Sequence, residues 1–293
     1  MKTPTSNSRR AIAMFLVFVF ALSSIFYALI IHAGRIGAAN GMFVQGLMWC
    51  PAIAALLTCV LLGRSVRSLG WTWKPKFQAI SYAIPVAYAL VAYVFVWLSG
   101  LGGFPDYAFI DGIARAAGWT TMPTGFVLFF YVLLRGTVGM VVSTATALGE
   151  EIGWRGFLVP ELSKVTSFTG TAFISGIIWS IWHFPELLFA DYNNGTPAWY
   201  GLTCFVVMVV GISFVFAWMR LKSGSLWTGA FLHASHNLWI QSIFTPLTTN
   251  TGRTKWVIDE FGFALSVVAV IAAIIFWRRR GEVERPAAHE TPA

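Results

Sequence analysis

The sequence predicts an all-α polytopic membrane protein with about eight transmembrane helices and both termini in the cytosol. Three observations predict this class: a shortage of charge, a series of apolar runs long enough to cross a bilayer, and an uneven distribution of lysine and arginine. Of the 293 residues, 57% are hydrophobic and only 11% are charged, whereas soluble domains carry about 25% charged residues. The length therefore predicts membrane spans within one transmembrane domain, residues 1–293, rather than several soluble domains.

Eight apolar runs follow one another along the chain. The first is longer than the apolar part of a secretory signal peptide, about 7 to 15 residues, and no A-x-A-like cleavage site follows it, so we expect it to be retained as a span. A shorter segment, residues 104–119, begins with Pro105-Asp106 and is predicted to form an interfacial helix. The predicted spans are residues 11–33, 41–63, 79–99, a stretch within 126–159, 168–190, 202–219, 226–245 and 261–277.

Eight spans would place successive loops alternately on the two sides of the membrane, and lysine and arginine are unevenly divided between these sides. Fifteen of the 20 lie on the side of the two termini, four lie in the opposite loops, and Arg135 falls within the fourth span. Since basic residues concentrate in cytosolic loops, both termini, including the polar tail 281–293, are predicted to be cytosolic. In a bacterium this would be a multi-pass protein of the plasma membrane.

Composition also argues against two other classes of protein. The net charge of +8 comes from basic residues scattered in short loops, which form no patch or stripe of the kind that binds nucleic acid. Cys50, Cys59 and Cys204 lie inside apolar runs, without the spacing of a metal site or a disulfide framework. The predicted partner is therefore the lipid bilayer and not nucleic acid, and the cysteines are predicted to be packing residues.

Two adjacent carboxylates and an arginine interrupt the fourth predicted span. At about 100° per residue, Glu151 and Arg155 share one face of a helix and can pair, whereas Glu150 points about 100° away from Glu151. Pro160 lacks a backbone N–H and is expected to end this helix. If the helix ends at Val159, Glu150 lies about nine residues, or roughly 13 Å, from its cytosolic end. An ionisable group at this depth is costly and predicts a functional site.

Polar side chains in two later spans are candidates to face Glu150. In the fifth span Trp179 precedes His183 by one helical turn, and in the seventh span His233 precedes Asn237 by one turn. Each pair therefore shares a helix face. Three different helices can thus direct polar groups into one space.

Each of these polar groups also has a purely structural interpretation. The carboxylate and arginine can form an ion pair that fixes helix register, and His183 can bond to a backbone carbonyl freed by Pro185. His233 with Asn237 can hold two helices together. Helix packing alone does not require an unpaired carboxylate. The joint occurrence of the carboxylates, the histidine of the fifth span and the polar pair of the seventh span therefore favours a functional site. His236 is as consistent with a supporting contact as with a catalytic role.

Three motifs on successive late helices together resemble a known family. The motifs, in order, are Glu150-Glu151-x-x-x-Arg155, an aromatic-x-x-x-His at 179–183, and His233-x-x-x-Asn237. Their order and spacing resemble those of the type II CaaX prenyl proteases and bacteriocin-processing proteins (CPBP), also called the Abi family. The resemblance covers roughly residues 126–245, which are expected to form the catalytic core. One departure is visible, because the family usually has Phe four residues before the middle histidine and this chain has Trp179.

The resemblance implies an intramembrane endopeptidase that acts on membrane-associated peptide or protein substrates through a glutamate-activated water. By the same resemblance Glu150 is the general base, His183 helps to hold the water, and His233 with Asn237 polarises the substrate. The expected supporting residues are Glu151, Arg155, Trp179 and His236.

The chemistry of amide hydrolysis is consistent with these residue types. A base must reach a water, and donors must point at the developing oxyanion, where losing one donor costs about 10² to 10³ in rate. Asn237 and a histidine N–H can be such donors. Zinc or another divalent metal held by Glu150, His183 and His233 is an alternative, because a catalytic zinc takes three protein ligands and a water. No H-E-x-x-H pair is present and Asn237 is a poor zinc ligand, so metal-free chemistry is slightly favoured.

The predicted site lies in a cavity among the fourth, fifth and seventh spans that opens toward the cytosol. The main alternative is a non-catalytic member of the family that confers bacteriocin immunity or binds a membrane partner. A proton-coupled transporter would use Glu150 and the histidines as a relay, but it predicts an internal repeat that the sequence lacks. A structural scaffold leaves the unpaired carboxylate unexplained. No residue pattern selects prenylated CaaX tails as the substrate.

Overall fold

The computed structural model describes residues 4–284, and in this range the chain is built from helices. The described residues form no strand, and one isolated backbone bridge joins the loops at Gly103 and Thr249. The predicted all-α class is therefore confirmed. The principal helices are α1 Pro4–Ala33, α2 Met42–Leu61, α3 Pro75–Leu98, α4 Tyr107–Ala117, α5 Thr124–Leu162, α6 Phe168–Phe189, α7 Ala198–Ser223, α8 Trp227–Asn237 and α9 Phe263–Arg278.

Six described helices, α1, α2, α3, α5, α6 and α7, are long and apolar enough to cross a membrane. The seventh predicted span is α8 with its π-helical continuation Leu238–Phe244, and the eighth is the 16-residue helix α9. The chain is a multi-pass membrane protein, whereas the number of eight spans and the side of the termini remain predictions. Of the predicted tail 281–293, residues 285–293 lie outside the described range.

The segment predicted to be an interfacial helix does form a helix, α4. The side chain of Asp106 caps it by accepting a hydrogen bond from the backbone N–H of Phe109, as aspartate does at helix N-termini. Its position at a membrane interface remains a prediction.

The bundle has two ends with different sets of loops. The terminus end carries the loops 62–74, 163–167 and 224–226, where Leu226 N–H donates to the carbonyl of Gly70. The loop end carries residues 34–41, 99–123, 190–197 and 245–262, where Ile36 N–H donates to Asp191. These two sets of contacts place the start of α1 and the end of α9 at the terminus end, opposite to the loop end.

Helix α5 packs against α2 at two glycines that leave no room for a side chain. A Cβ added at Gly149 would lie 2.6 Å from the carbonyl oxygen of Met48, and one at Gly153 would lie 2.5 Å from Cβ of Pro51. Small residues four positions apart let membrane helices approach closely. This contact holds Glu150 opposite the middle of α2, and therefore near the middle of the bundle.

The prediction that Pro160 ends the fourth span is wrong by one turn. The helix continues to Leu162, because the preceding residues Ile152–Leu158 form a π-helical stretch. Its wider turn relieves the clash between a proline ring and the carbonyl four residues earlier. Glu150 consequently lies about twelve residues, or roughly 18 Å, from the terminus end of the helix, deeper than the sequence predicts.

Candidate active site

The predicted ion pair between Glu151 and Arg155 is confirmed and fully buried. Arg155 Nη1 donates to Glu151 Oε1 over 2.7 Å, and the side chains are 2% and 0% exposed. Nδ1 of His233 lies 3.0 Å from the same oxygen. The Arg155 guanidinium lies 4.2 Å from the ring centroid of Trp179 and 4.0 Å from that of Phe216. Glu151 is thus neutralised and anchored between α5 and α8.

Glu150 has a different environment from its neighbour. It is 1% exposed, and its Oε2 accepts hydrogen bonds from Nε1 of Trp179 at 2.8 Å and from Nε1 of Trp154 at 3.1 Å. Both donors are neutral indole groups, and no described basic residue pairs with this carboxylate. Because both bonds end on Oε2, Oε1 has no partner among the described residues and is free to accept a proton.

The carboxylate of Glu150 lines a cavity of about 320 Å³. Six predicted site residues line this cavity, while Glu151 and Arg155 lie behind its wall. Helices α2 and α7 contribute walls that the sequence did not predict, including the apolar face of Phe205, Met208 and Ile212. The six residues are Glu150, Trp179, His183, His233, His236 and Asn237.

His183 lies at the point where α6 changes direction. The α-helical turns of Phe168–Trp182 end there, and a short helical segment, Phe184–Phe189, continues beyond it. Nδ1 of His183 lies 3.4 Å from Oε2 of Glu186, so the ring pairs with a carboxylate rather than with a backbone carbonyl. His183 and Glu150 line the same cavity without a direct hydrogen bond. A shared water between them therefore remains a prediction.

Asn237 lies one turn after His233 on α8, and both side chains line the cavity as their spacing predicts. The helix changes to π-helical geometry directly after Asn237, as it does directly after Glu151; such turns occur often at functional sites. The Asn237 amide makes no hydrogen bond to the described residues. It is available to a ligand in the cavity.

A second cluster, centred on Glu260, was not predicted from the sequence. Nε2 of His236 lies 2.9 Å from Oε1 of Glu260, and Nδ1 of His236 is hydrogen-bonded to the hydroxyl of Tyr88. Tyr192 donates its hydroxyl proton to Oε2 of Glu260. Burial raises the pKa of Glu260, but the hydrogen bonds of His236 and Tyr192 and the charges of His236 and His183 together hold this pKa below its ordinary value.

Three functional candidates were missed, and each had a signal in the sequence. Trp154 stands four residues after Glu150 and therefore shares its helix face. Glu186 stands three residues after His183. Glu260 belongs to an adjacent carboxylate pair at the edge of an apolar run, which is the same signal that identifies Glu150.

A divalent metal held by Glu150, His183 and His233 does not fit this arrangement. Among residues 4–284, no three histidine, cysteine or carboxylate side chains are placed to hold one ion. In the described part of the chain these side chains are therefore not placed to share one metal ion.

Two comparisons with known proteins match the central part of the chain. The family model described as Type II CAAX prenyl endopeptidase Rce1-like matches residues 127–239. The protein named CAAX prenyl protease 2 of Methanococcus maripaludis is 30% identical over 145 residues. That alignment covers 48% of this chain and 48% of the relative, so the chain spans about half the length of the curated protein that it matches.

The matched residues contain all three motifs on which the resemblance was based. Glu150 and its ion-paired neighbour, the histidine of α6 and the histidine and asparagine of α8 all lie between residues 127 and 239. Residues 127–239 of this chain therefore match the Rce1-like CAAX endopeptidase model, and this match supports the resemblance to the CPBP family of membrane proteins that the motifs indicate.

Proposed function

We propose that this chain is an intramembrane endopeptidase that hydrolyses peptide bonds of membrane-associated substrates with a water activated by Glu150. The observation that carries the proposal is the difference between Glu150 and the other carboxylates around the cavity. Glu151 pairs with Arg155, and Glu186 and Glu260 each pair with a histidine. Glu150 alone among these four has no arginine or histidine partner. Oε2 of Glu151 and Oε2 of Glu186 also lack a hydrogen bond, but each of those side chains is held by a basic group.

The first step is the attack of water on the substrate carbonyl. A water between Glu150 Oε1 and the scissile carbonyl carbon gives its proton to the carboxylate as its oxygen bonds to the carbon. The two indole N–H groups hold the other carboxylate oxygen, so that Oε1 stays directed to the cavity. A positioned base of this kind contributes about 10² to 10⁴ in rate. His183, on the neighbouring cavity wall, is assigned to hold the same water.

The tetrahedral oxyanion needs donors that are already in place. The Asn237 amide supplies one N–H. His233, whose Nδ1 lies 3.0 Å from Glu151 Oε1, is assigned to supply a second from Nε2 when both of its ring nitrogens carry a proton. In a site that excludes water such donors are worth more than in solution.

The second step releases the products. Glu150 returns its proton to the leaving nitrogen as the carbon–nitrogen bond breaks. The products are a new carboxyl group and a new amine, and the carboxylate of Glu150 is regenerated. One water is consumed for each peptide bond cut, and no other reactant is required.

The test compares membranes that contain the wild type, Glu150→Gln or Glu161→Gln at matched levels. Glu161 is a matched control, because it is also a buried carboxylate but lies at the terminus end in an ion pair with Arg64. Mass spectrometry of newly formed peptide termini is the measurement. We expect termini that appear with the wild type and the control and disappear with Glu150→Gln. The same termini with Glu150→Gln would refute the mechanism and favour the immunity or binding role.

A further inference from the structure

Three loops of the loop end contribute to the mouth of the cavity. The lining includes Gly37 from the loop 34–41, Tyr192 from the loop 190–197 and Glu260 from the loop 245–262. The ring of Tyr192 lies against that of His183, with the two ring centroids 6.1 Å apart. Tyr192 therefore joins the loop end to the histidine that is assigned to hold the water.

The ring of His183 is held by packing rather than by a regular hydrogen bond. Its Nδ1 lies 3.4 Å from Oε2 of Glu186, and this oxygen has no hydrogen-bond partner among the described residues. Charge attraction without a hydrogen bond has little directionality, so it does not set the plane of the ring. Four aromatic rings surround the imidazole, with centroid distances of 4.7 Å for Trp182, 5.2 Å for Phe205, 6.1 Å for Tyr192 and 6.4 Å for Trp179. The orientation of the imidazole therefore depends on these rings.

Tyr192 differs from the other three aromatic residues because it belongs to a loop and not to a long helix. Its position is nevertheless fixed from two other elements. Its hydroxyl donates to Oε2 of Glu260 and accepts from Nε2 of Gln241 at 3.4 Å. Its ring packs edge to face on Phe261, with centroids 5.0 Å apart, which is a favoured arrangement of aromatic pairs. Contacts from the continuation of α8 and from residues 260 and 261 thus hold the ring on which His183 rests.

We infer that Tyr192 is a positioning residue whose ring fixes the plane of the His183 imidazole, and thereby the nitrogen that faces the water. This inference rests on the proposed function for the role of His183. The two parts of the tyrosine have separate roles: the hydroxyl group ties the loop to Glu260, and the ring orients the histidine. A misplacement of about 1 Å at a reacting group can lower the rate about 10²-fold, so a ring that makes no bond to the substrate still controls turnover.

The experiment separates the two parts of the side chain. Tyr192→Phe keeps the ring and removes the hydroxyl group, whereas Tyr192→Leu removes both. Tyr200→Leu is the matched control, because Tyr200 is also half-buried at the loop end, packs its ring on Trp256 and donates its hydroxyl to the carbonyl of Trp256, but does not line the cavity. The measurements are the midpoint of thermal unfolding and kcat and KM for a synthetic peptide that spans a terminus found with the wild type.

We expect kcat to fall about 10- to 100-fold in Tyr192→Leu with KM unchanged, and to stay close to the wild-type value in Tyr192→Phe. Tyr192→Phe and Tyr200→Leu should lower the thermal midpoint without lowering kcat. Equal losses of kcat in Tyr192→Phe and Tyr192→Leu would overturn the inference, because the hydroxyl group would then be the part that matters. A rise in KM alone would overturn it in favour of a contact with the substrate.

A second measurement follows His183 itself and does not depend on turnover. Diethylpyrocarbonate acylates neutral imidazole nitrogens, and mass spectrometry gives the rate of acylation at each histidine, with the exposed His32 as the internal reference. We expect the rate at His183 relative to that at His32 to rise severalfold in Tyr192→Leu and to stay unchanged in Tyr192→Phe.

The acylation rate also separates the inference from the proposed function. An unchanged relative rate in Tyr192→Leu would overturn the inference, and so would faster acylation at wild-type kcat, because Tyr192 would then only cover the ring. Faster acylation in Tyr192→Leu in a protein whose wild type cuts no peptide would refute the proposed function and would still support the role of Tyr192 in holding His183.

Discussion

Glu150 and Glu260 border the same cavity, each next to a second carboxylate in the sequence, and the hydrogen bonding of their oxygens differs. Glu260 is hydrogen-bonded on both oxygens, to His236 and to Tyr192. Glu150 is hydrogen-bonded on one oxygen only, by two indole groups. A carboxylate with both oxygens engaged braces the helices around it, whereas one with a free oxygen can accept a proton. Burial alone therefore does not identify the base, because both side chains are less than 5% exposed.

The largest effect on stability is expected when the buried ion pair between Arg155 and Glu151 is removed. Arg155→Met keeps an unbranched side chain of similar shape but leaves the buried carboxylate of Glu151 with His233 alone. Removing one partner of a buried ion pair costs about 3 to 5 kcal/mol, so the midpoint of thermal unfolding in detergent should fall sharply. Arg64→Met is the matched control, because its partly exposed pair with Glu161 is worth about 1 kcal/mol or less. Equal shifts in the two variants would contradict the comparison.

Asn237→Ala is expected to have the next largest effect, this time on turnover. The Asn237 amide has no hydrogen bond to the described protein, so its removal should leave stability nearly unchanged. The loss of one oxyanion donor lowers the rate about 10²- to 10³-fold. Measuring peptide cleavage and thermal unfolding on the same preparation checks both expectations. A loss of stability without a loss of rate would show that Asn237 holds helices together instead.

Local geometry explains which parts of the site were predictable. Glu151 and Arg155 are one helical turn apart, so their pairing follows from the periodicity of α5, and the shared face of His233 and Asn237 follows in the same way. The apolar runs likewise predict the helices. The helix end at Pro160 was not predictable, because a π-helical stretch changes the spacing on which the prediction depended.

The unpredicted parts depend on contacts between distant segments. His236 and Glu260 are 24 residues apart, and they meet only because the loop 245–262 folds over α8. The mouth of the cavity likewise depends on loops from three parts of the chain. Periodicity describes one helix at a time and carries no information about which loops meet.

Glu260→Gln repeats the chemical change of Glu150→Gln at the other carboxylate of the comparison. It keeps the volume of the side chain but removes the charge that His236 faces, so we expect a loss of about 1 to 3 kcal/mol in unfolding free energy. Turnover should fall much less than in Glu150→Gln, because no proton transfer is assigned to Glu260. The midpoint of thermal unfolding and the rate of peptide cleavage, measured for Glu260→Gln and for Glu150→Gln, test both expectations. Loss of turnover equal to that of Glu150→Gln at unchanged stability would assign Glu260 to the chemistry.

The smallest expected effect concerns the indole groups that leave Glu150 with one free oxygen. Trp179→Phe, which introduces the residue that the family usually has, removes the 2.8 Å hydrogen bond but keeps an aromatic ring beside Arg155. A hydrogen bond to a charged group contributes about 1.5 to 3 kcal/mol, and Trp154 still holds the same oxygen. We therefore expect kcat to fall about tenfold with KM unchanged.

Trp154→Phe is the matched variant, since it removes the longer bond of 3.1 Å to the same oxygen. We expect a smaller decrease in kcat than for Trp179→Phe. The double variant should lose more than the sum of the two in free energy of activation, because only then does Oε2 have no donor and the carboxylate become free to rotate away from the water. A rise in KM with unchanged kcat would show instead that the indoles contact the substrate, and additive effects would show that the two tryptophans act on the base independently.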